Sequence, residues 1–128
     1  MRAAIIAGLL MMSAGPALAA DAQGAILFKQ RCAVCHMAEG QGVPGAFPPL
    51  KKDVASFAGK REGRRYLALV VTRGLSGPIK AEGQVYRNIM PPQSMLTDAQ
   101  VAAVPNHVPG TEKPFTADEI PKIRTAGA

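Results

Sequence analysis

The stretch Cys32-Ala33-Val34-Cys35-His36 contains both cysteines of the chain and one of its two histidines. Concentrating that much chemistry in five residues narrows what the segment can do. A Cys32–Cys35 disulfide would close a very short loop and contribute little entropic stabilisation. A redox-active pair of the thioredoxin kind needs a surrounding βαβ pattern, and the chain lacks the β-branched runs such a fold requires. A zinc site built from Cys32, Cys35, His36 and His107 has suitable ligand types, but adjacent Cys35 and His36 sit awkwardly as two ligands on one tetrahedral ion.

The remaining reading is covalent haem attachment, C-x-x-C-H. Each thiol adds to one haem vinyl group, and the two-residue gap matches the span between the vinyls when the segment turns helically. The next residue then lies under the iron, so His36 is expected as the proximal axial ligand. This reading accounts for all five positions together.

Upstream, Gln23 to Arg31 carries Ala25, Ile26 and Phe28 with no proline, which predicts an amphipathic helix entering the motif, with Asp21 as N-cap. Gly24 and Phe28 share one face, and Gly24 is the expected point of close crossing with a later helix. Further back, Arg2 precedes an unbroken apolar run from Ala3 to Met12. Ser13, Gly15 and Pro16 break it, and Ala17-Leu18-Ala19 has the small-x-small pattern of a cleavage site. Residues 1–19 therefore read as a secretory signal peptide and residues 20–128 as one small domain, exported to the periplasm. The apolar run falls short of the roughly 20 residues that span a bilayer, so membrane association is expected only if the signal is retained.

Loss of Arg2 takes the formal charge from +6 to +5. A moderately basic surface favours acidic partners. Nucleic acid is not expected: the basic residues are scattered, aromatics are 5% and there is no tryptophan.

Downstream, residues 39–50 hold so much glycine and proline that no regular element survives. Val43, Phe47 and Leu50 suggest that this long loop packs on a haem face. Arg61 to Arg73 carries Tyr66, Leu67, Val70 and Val71 at helical spacing, closed by Gly74, with its arginines on a solvated face. Residues 78–86 read as a small hairpin turning at Glu82-Gly83. Asn88 to Pro92 cannot be helical. Thr97-x-x-Gln100 and Thr116-x-x-Glu119 are capping boxes opening two further helices. Pro105 lies inside the first of these, where a proline costs about 3 kcal/mol, so a kink or an early end is expected near Val104. Pro109 and Pro121 are equally unexpected in this region.

With these residues placed, the sequence resembles the class I c-type cytochromes, the monohaem His/Met electron carriers, over about residues 22 to 110. The resemblance rests on C-A-V-C-H, on G-Q-G-V-P-G-A-F-P-P-L after it and on G-Q-V-Y-R-N-I-M-P-P before a closing helix. It is nearest to the cytochromes that serve bacterial periplasmic dehydrogenases and reductases. It implies an all-α fold of three to five helices wrapped round one covalent haem c, with long Pro/Gly loops. It also implies electron transfer rather than enzymatic turnover, with an acidic-faced redox protein such as a periplasmic dehydrogenase, reductase or oxidase as partner. Cys32 and Cys35 match the thioether cysteines, His36 the proximal ligand and Met90 the distal one. Pro44 or a neighbour is expected to accept from the His36 ring, and Tyr86 and Arg87 to contact a haem propionate. Met37 adjoins His36 on the proximal side, which leaves Met90 and Met95 among the methionines; a lysine or His107 stays open as distal ligand. A labile distal ligand would instead fit a haem enzyme or gas-binding protein.

Overall fold

The computed structural model describes residues 15–126, so most of the expected leader lies outside the described residues. Helix α1 (Pro16–Leu27) starts within that leader, with proline at its first position, where the missing N–H has no helical partner to lose. Asp21 is therefore inside a helix rather than capping one: nothing between Pro16 and Leu27 breaks it. The same helix runs without interruption through a π-helical turn (Phe28–Cys32) into the single turn α2 (Ala33–His36). The helix ends at Met37, whose φ is +64°.

Helix α5 (Asp98–His107) crosses α1 at Gly24. A Cβ at Gly24 would run into the Ala103 carbonyl oxygen, so the crossing requires glycine there. Both bonds of the Thr97 capping box are made: the Thr97 hydroxyl accepts from the Gln100 amide, and the Gln100 side chain accepts from the Thr97 amide at 2.9 Å. The end expected near Val104 is not found. The helix continues through Pro105 to His107, because the proline sits in the last turn and costs only one hydrogen bond there. The carbonyl of Pro105 remains satisfied, by the Val108 amide at 3.1 Å and the Thr111 hydroxyl at 2.9 Å. Pro109 follows the end of the helix, where nothing is lost.

Helix α3 (Lys51–Ala58), unforeseen because no capping side chain announces it, packs on α4 (Arg61–Arg73). Their junction is tight: a Cβ on Gly63 would strike the Phe57 backbone. Strands β1 (Ile79–Ala81) and β2 (Gln84–Tyr86) form the expected hairpin. Its two turn residues, Glu82 and Gly83, both have positive φ, as a two-residue turn matched to strand twist demands.

After α5 the chain doubles back through a short 3₁₀ turn (Ala117–Glu119) into α6 (Ile120–Thr125), where Pro121 is harmless in the first turn. The α4 arginines expected to face solvent hold this tail. Arg64 grips Glu119 with Nε at 3.1 Å, bonds the carbonyls of Ala58, Lys113 and Pro114, and stacks 4.0 Å over the Phe115 ring. Arg65 and Arg73 bond the Ala126 and Arg124 carbonyls at the far end of α6. The core centres on the fully buried Val101 and Ile120, with Leu27, Ala68 and Val104 around them. A smaller cluster of Phe28, Val54 and Val108 adjoins it, and Cys32 and Leu67 pack against both. The described residues thus form five helical bodies and one small hairpin.

Candidate functional site

The helices leave an apolar cleft of about 210 Å³, with an adjoining pocket of about 80 Å³. Cys32, His36 and Met90 line both; Cys35 lines the larger. The first wall is the π turn and α2. The second is the 46–50 end of the Pro/Gly loop. The third is α3 and α4, and the fourth is the segment around Met90.

His36 is buried, only 8% exposed. Its Nδ1 lies 2.9 Å from the carbonyl of Pro48. A carbonyl can only accept, so Nδ1 carries the proton and Nε2 is left as the ligand atom, the tautomer a metal-bound imidazole needs. Burial depresses the pKa of the ring and outweighs that hydrogen bond. The acceptor is the Pro48 carbonyl, four residues beyond Pro44, where Pro44 or a neighbour was expected. Val43 and Phe47 exchange backbone hydrogen bonds at 2.8 Å, which leaves Pro44 exposed in the turn between them. Gly42, at φ +67°, lets the loop fold so closely that a Cβ there would meet Pro48 and Pro49 backbone at 2.7 Å.

Cys32 and Cys35 are not joined to each other in a disulfide. Burial pushes Cys32 up to about 11, with Cys35 adding to the rise and Arg31 opposing it. A redox-active pair would need the reverse, a thiol made acidic.

Met90 comes from the extended segment ahead of Pro91. Its amide donates to the Leu75 carbonyl at 2.9 Å and its carbonyl accepts from the Leu75 amide at 3.0 Å. Met95 is 89% exposed and lines neither cavity. His107 is also exposed and absent from both walls, its ring 5.2 Å from that of Phe28. It cannot join the cysteines round a zinc ion in this arrangement.

Tyr86 is buried on the cleft wall, its hydroxyl donating to Gln84 Oε1 at 3.2 Å. Arg87 is exposed and does not line the cleft; the cations that do are Arg31 and Lys80. Sequence reasoning missed Arg31, Lys80, Asp53, Tyr66 and Gln93, because nothing local marks them. Two hydrogen bonds close the site across long stretches of chain: Arg31 to Gln93 Oε1 at 3.4 Å, and Asn88 to the Ala46 carbonyl at 3.0 Å. Among the described residues, Asp53 is the one carboxylate on the wall of the larger cavity. Burial raises its pKa, Glu82 raises it further and Lys52 opposes both.

A helical shell round an apolar cleft, entered by two thiols and a buried imidazole with a fixed tautomer, defines a protein built to hold one flat prosthetic group covalently. The chain belongs to the cytochrome c family, whose model matches residues 22–111. It is 44% identical over 114 residues to a cytochrome c-552 of Thermus thermophilus, covering 82% of this chain and 76% of that protein. A second cytochrome c-552 of the same organism is also 44% identical, over 113 residues, covering 81% and 86%. The cofactor is therefore a covalently attached haem c, and the protein is an electron carrier, not an enzyme. Its partners are redox proteins.

Proposed function

We propose that Cys32 and Cys35 form the two thioethers, that His36 is the proximal and Met90 the distal iron ligand, and that the protein carries electrons between periplasmic partners. The observation that carries this reading is the cleft itself: both cysteines, the oriented imidazole of His36 and the thioether of Met90 line one apolar space. The haem supplies a one-electron ferric/ferrous couple. The chain's own residues would hold that couple in place, with His36 and Met90 as its ligands, and would exclude water. Apolar walls and a thioether ligand from Met90 would favour the ferrous form. Tyr86, Arg31 and Lys80 line the cleft and would be the polar partners of the haem propionates. Residues 1–19 serve as the export leader and residues 20–128 as the working domain, and an acidic partner surface meets this basic one.

The distal assignment is tested by Met90→Ala. The weak far-red sulfur-to-iron band of the ferric protein is expected to vanish, and the reduction potential to fall by on the order of hundreds of millivolts. The iron is expected to bind carbon monoxide. If the band survives in Met90→Ala and is lost in Met95→Ala, the assignment is wrong.

A further inference from the structure

We infer that Gly74 is a positioning residue for the iron ligand: its missing side chain is what lets the end of α4 hold Met90 in the cleft. The inference rests on Met90 being the distal ligand. Three backbone hydrogen bonds seat the Met90 segment on the end of α4. Two form the Leu75–Met90 bridge, and the third runs from the Gln93 amide to the Val71 carbonyl at 2.8 Å. Val71 lies in the last turn of α4, whose carbonyls have no partner within the helix. The ligand segment supplies one.

Gly74 makes this contact possible in two ways. Its φ of +74° turns the chain out of the helix so that Leu75 can pair with Met90. It also sits under the ligand segment with no clearance. A Cβ added there would lie 2.5 Å from the Met90 carbonyl oxygen and 2.8 Å from the Pro92 nitrogen. Both are backbone atoms, and Pro91 and Pro92 keep that backbone from rotating away. Any side chain at residue 74 therefore pushes on Met90 itself. Gly83, at φ +81° with nothing within 4 Å of an added Cβ and on the wall of neither cavity, offers the control: the same backbone penalty without the contact.

The test compares the haem-loaded Gly74→Ala, Gly83→Ala and Met90→Ala proteins. In Gly74→Ala the far-red sulfur-to-iron band is expected to weaken at least severalfold and carbon monoxide to bind. In Gly83→Ala both readouts stay as in the parent protein, even if the melting temperature falls. A parent-strength band in Gly74→Ala overturns the inference, as does equal loss in Gly83→Ala. Met90→Ala separates the two levels: a band that survives there removes the distal assignment, whereas loss there with retention in Gly74→Ala removes only the role of Gly74. Should Gly74→Ala yield no holoprotein, hydrogen exchange on the parent decides. The Met90 amide, bonded to Leu75, is expected to be protected by about a hundredfold or more, and exchange at the unprotected rate overturns the inference.

Discussion

Single residues in this chain differ in how far their roles can be read from neighbours alone. Cys32, Cys35 and His36 announce themselves, because the chemistry needs those types at that spacing. Gly24 was legible as a crossing point, since a glycine on an otherwise apolar helical face wastes packing area unless another backbone comes close. Pro48 was not legible. Pro44, Pro48 and Pro49 look alike in sequence, and only the fold of the loop over Gly42 decides which carbonyl meets the imidazole. Asp53 was equally silent, being one acid among solvated charges until α3 turns it towards the cleft. Its raised pKa has a consequence with a definite sign. Burial, reinforced by Glu82, makes the ionised form less favourable folded than unfolded, so the folded state binds more protons between the two pKa values. The Asp53 contribution to stability is therefore lost as pH rises from the ordinary aspartate range through the raised value. Asp53→Asn is expected to melt higher than the parent at neutral pH and to show no advantage below the ordinary aspartate pKa. Matching melts for the two proteins at pH 7 would count against this.

At the scale of elements, the two capping boxes, the hairpin and the close of α4 at Gly74 were all readable, because each is specified by residues within a few positions of one another. Helix α3 was not: it follows a Pro-Pro-Leu sequence without a side-chain cap, and its stability comes from packing on α4 rather than from its own ends. The grip of α4 on the tail was hidden for the same reason. Arg64 and Glu119 are 55 positions apart, and nothing in either neighbourhood names the other. Pro105 shows where a local rule overreaches. The cost of an interior proline is real, but in the last turn of α5 the chain absorbs it without ending the helix. Replacing it restores a donor for the Val101 carbonyl, so Pro105→Leu is expected to raise the thermal midpoint. The ceiling is about 3 kcal/mol, at roughly 4–8 °C per kcal/mol for a domain near this size. An unchanged or lower midpoint would mean the buried ring packs better than the leucine that replaces it.

Across the whole molecule, charge and the cleft act together. The formal charge of +6 is not spread evenly in its effects: Arg64, Arg65 and Arg73 are spent on the tail, and Lys52 pairs with Glu82 at 3.0 Å. Arg31 and Lys80 remain at the cleft, beside Val34 and Ile89, which line it and are 77% and 71% exposed. A partner that docks there meets apolar contact with cations at its edge, and long-range attraction is expected to set the encounter rate. Electron-transfer rates with the physiological donor should fall as ionic strength rises past about 0.1 M, where the Debye length shrinks to about 10 Å. Rates flat from low to high salt would rule out an acidic docking face.

The π turn at Phe28–Cys32 has a further consequence. It carries one more residue per turn than the helix on either side, so it behaves as a spacer between two fixed points: the Gly24–Ala103 crossing above and the haem-binding motif below. An α-helix advances about 100° per residue. Removing a single residue such as Gln30 would restore regular winding and leave both cysteines near their present phase. Removing one from the α-helical stretch before the π turn would swing them about a quarter-turn off the cleft while the crossing stayed put. The π turn is thus the one place between the helix crossing and the haem-binding motif where the chain can lose a residue and keep its angular phase.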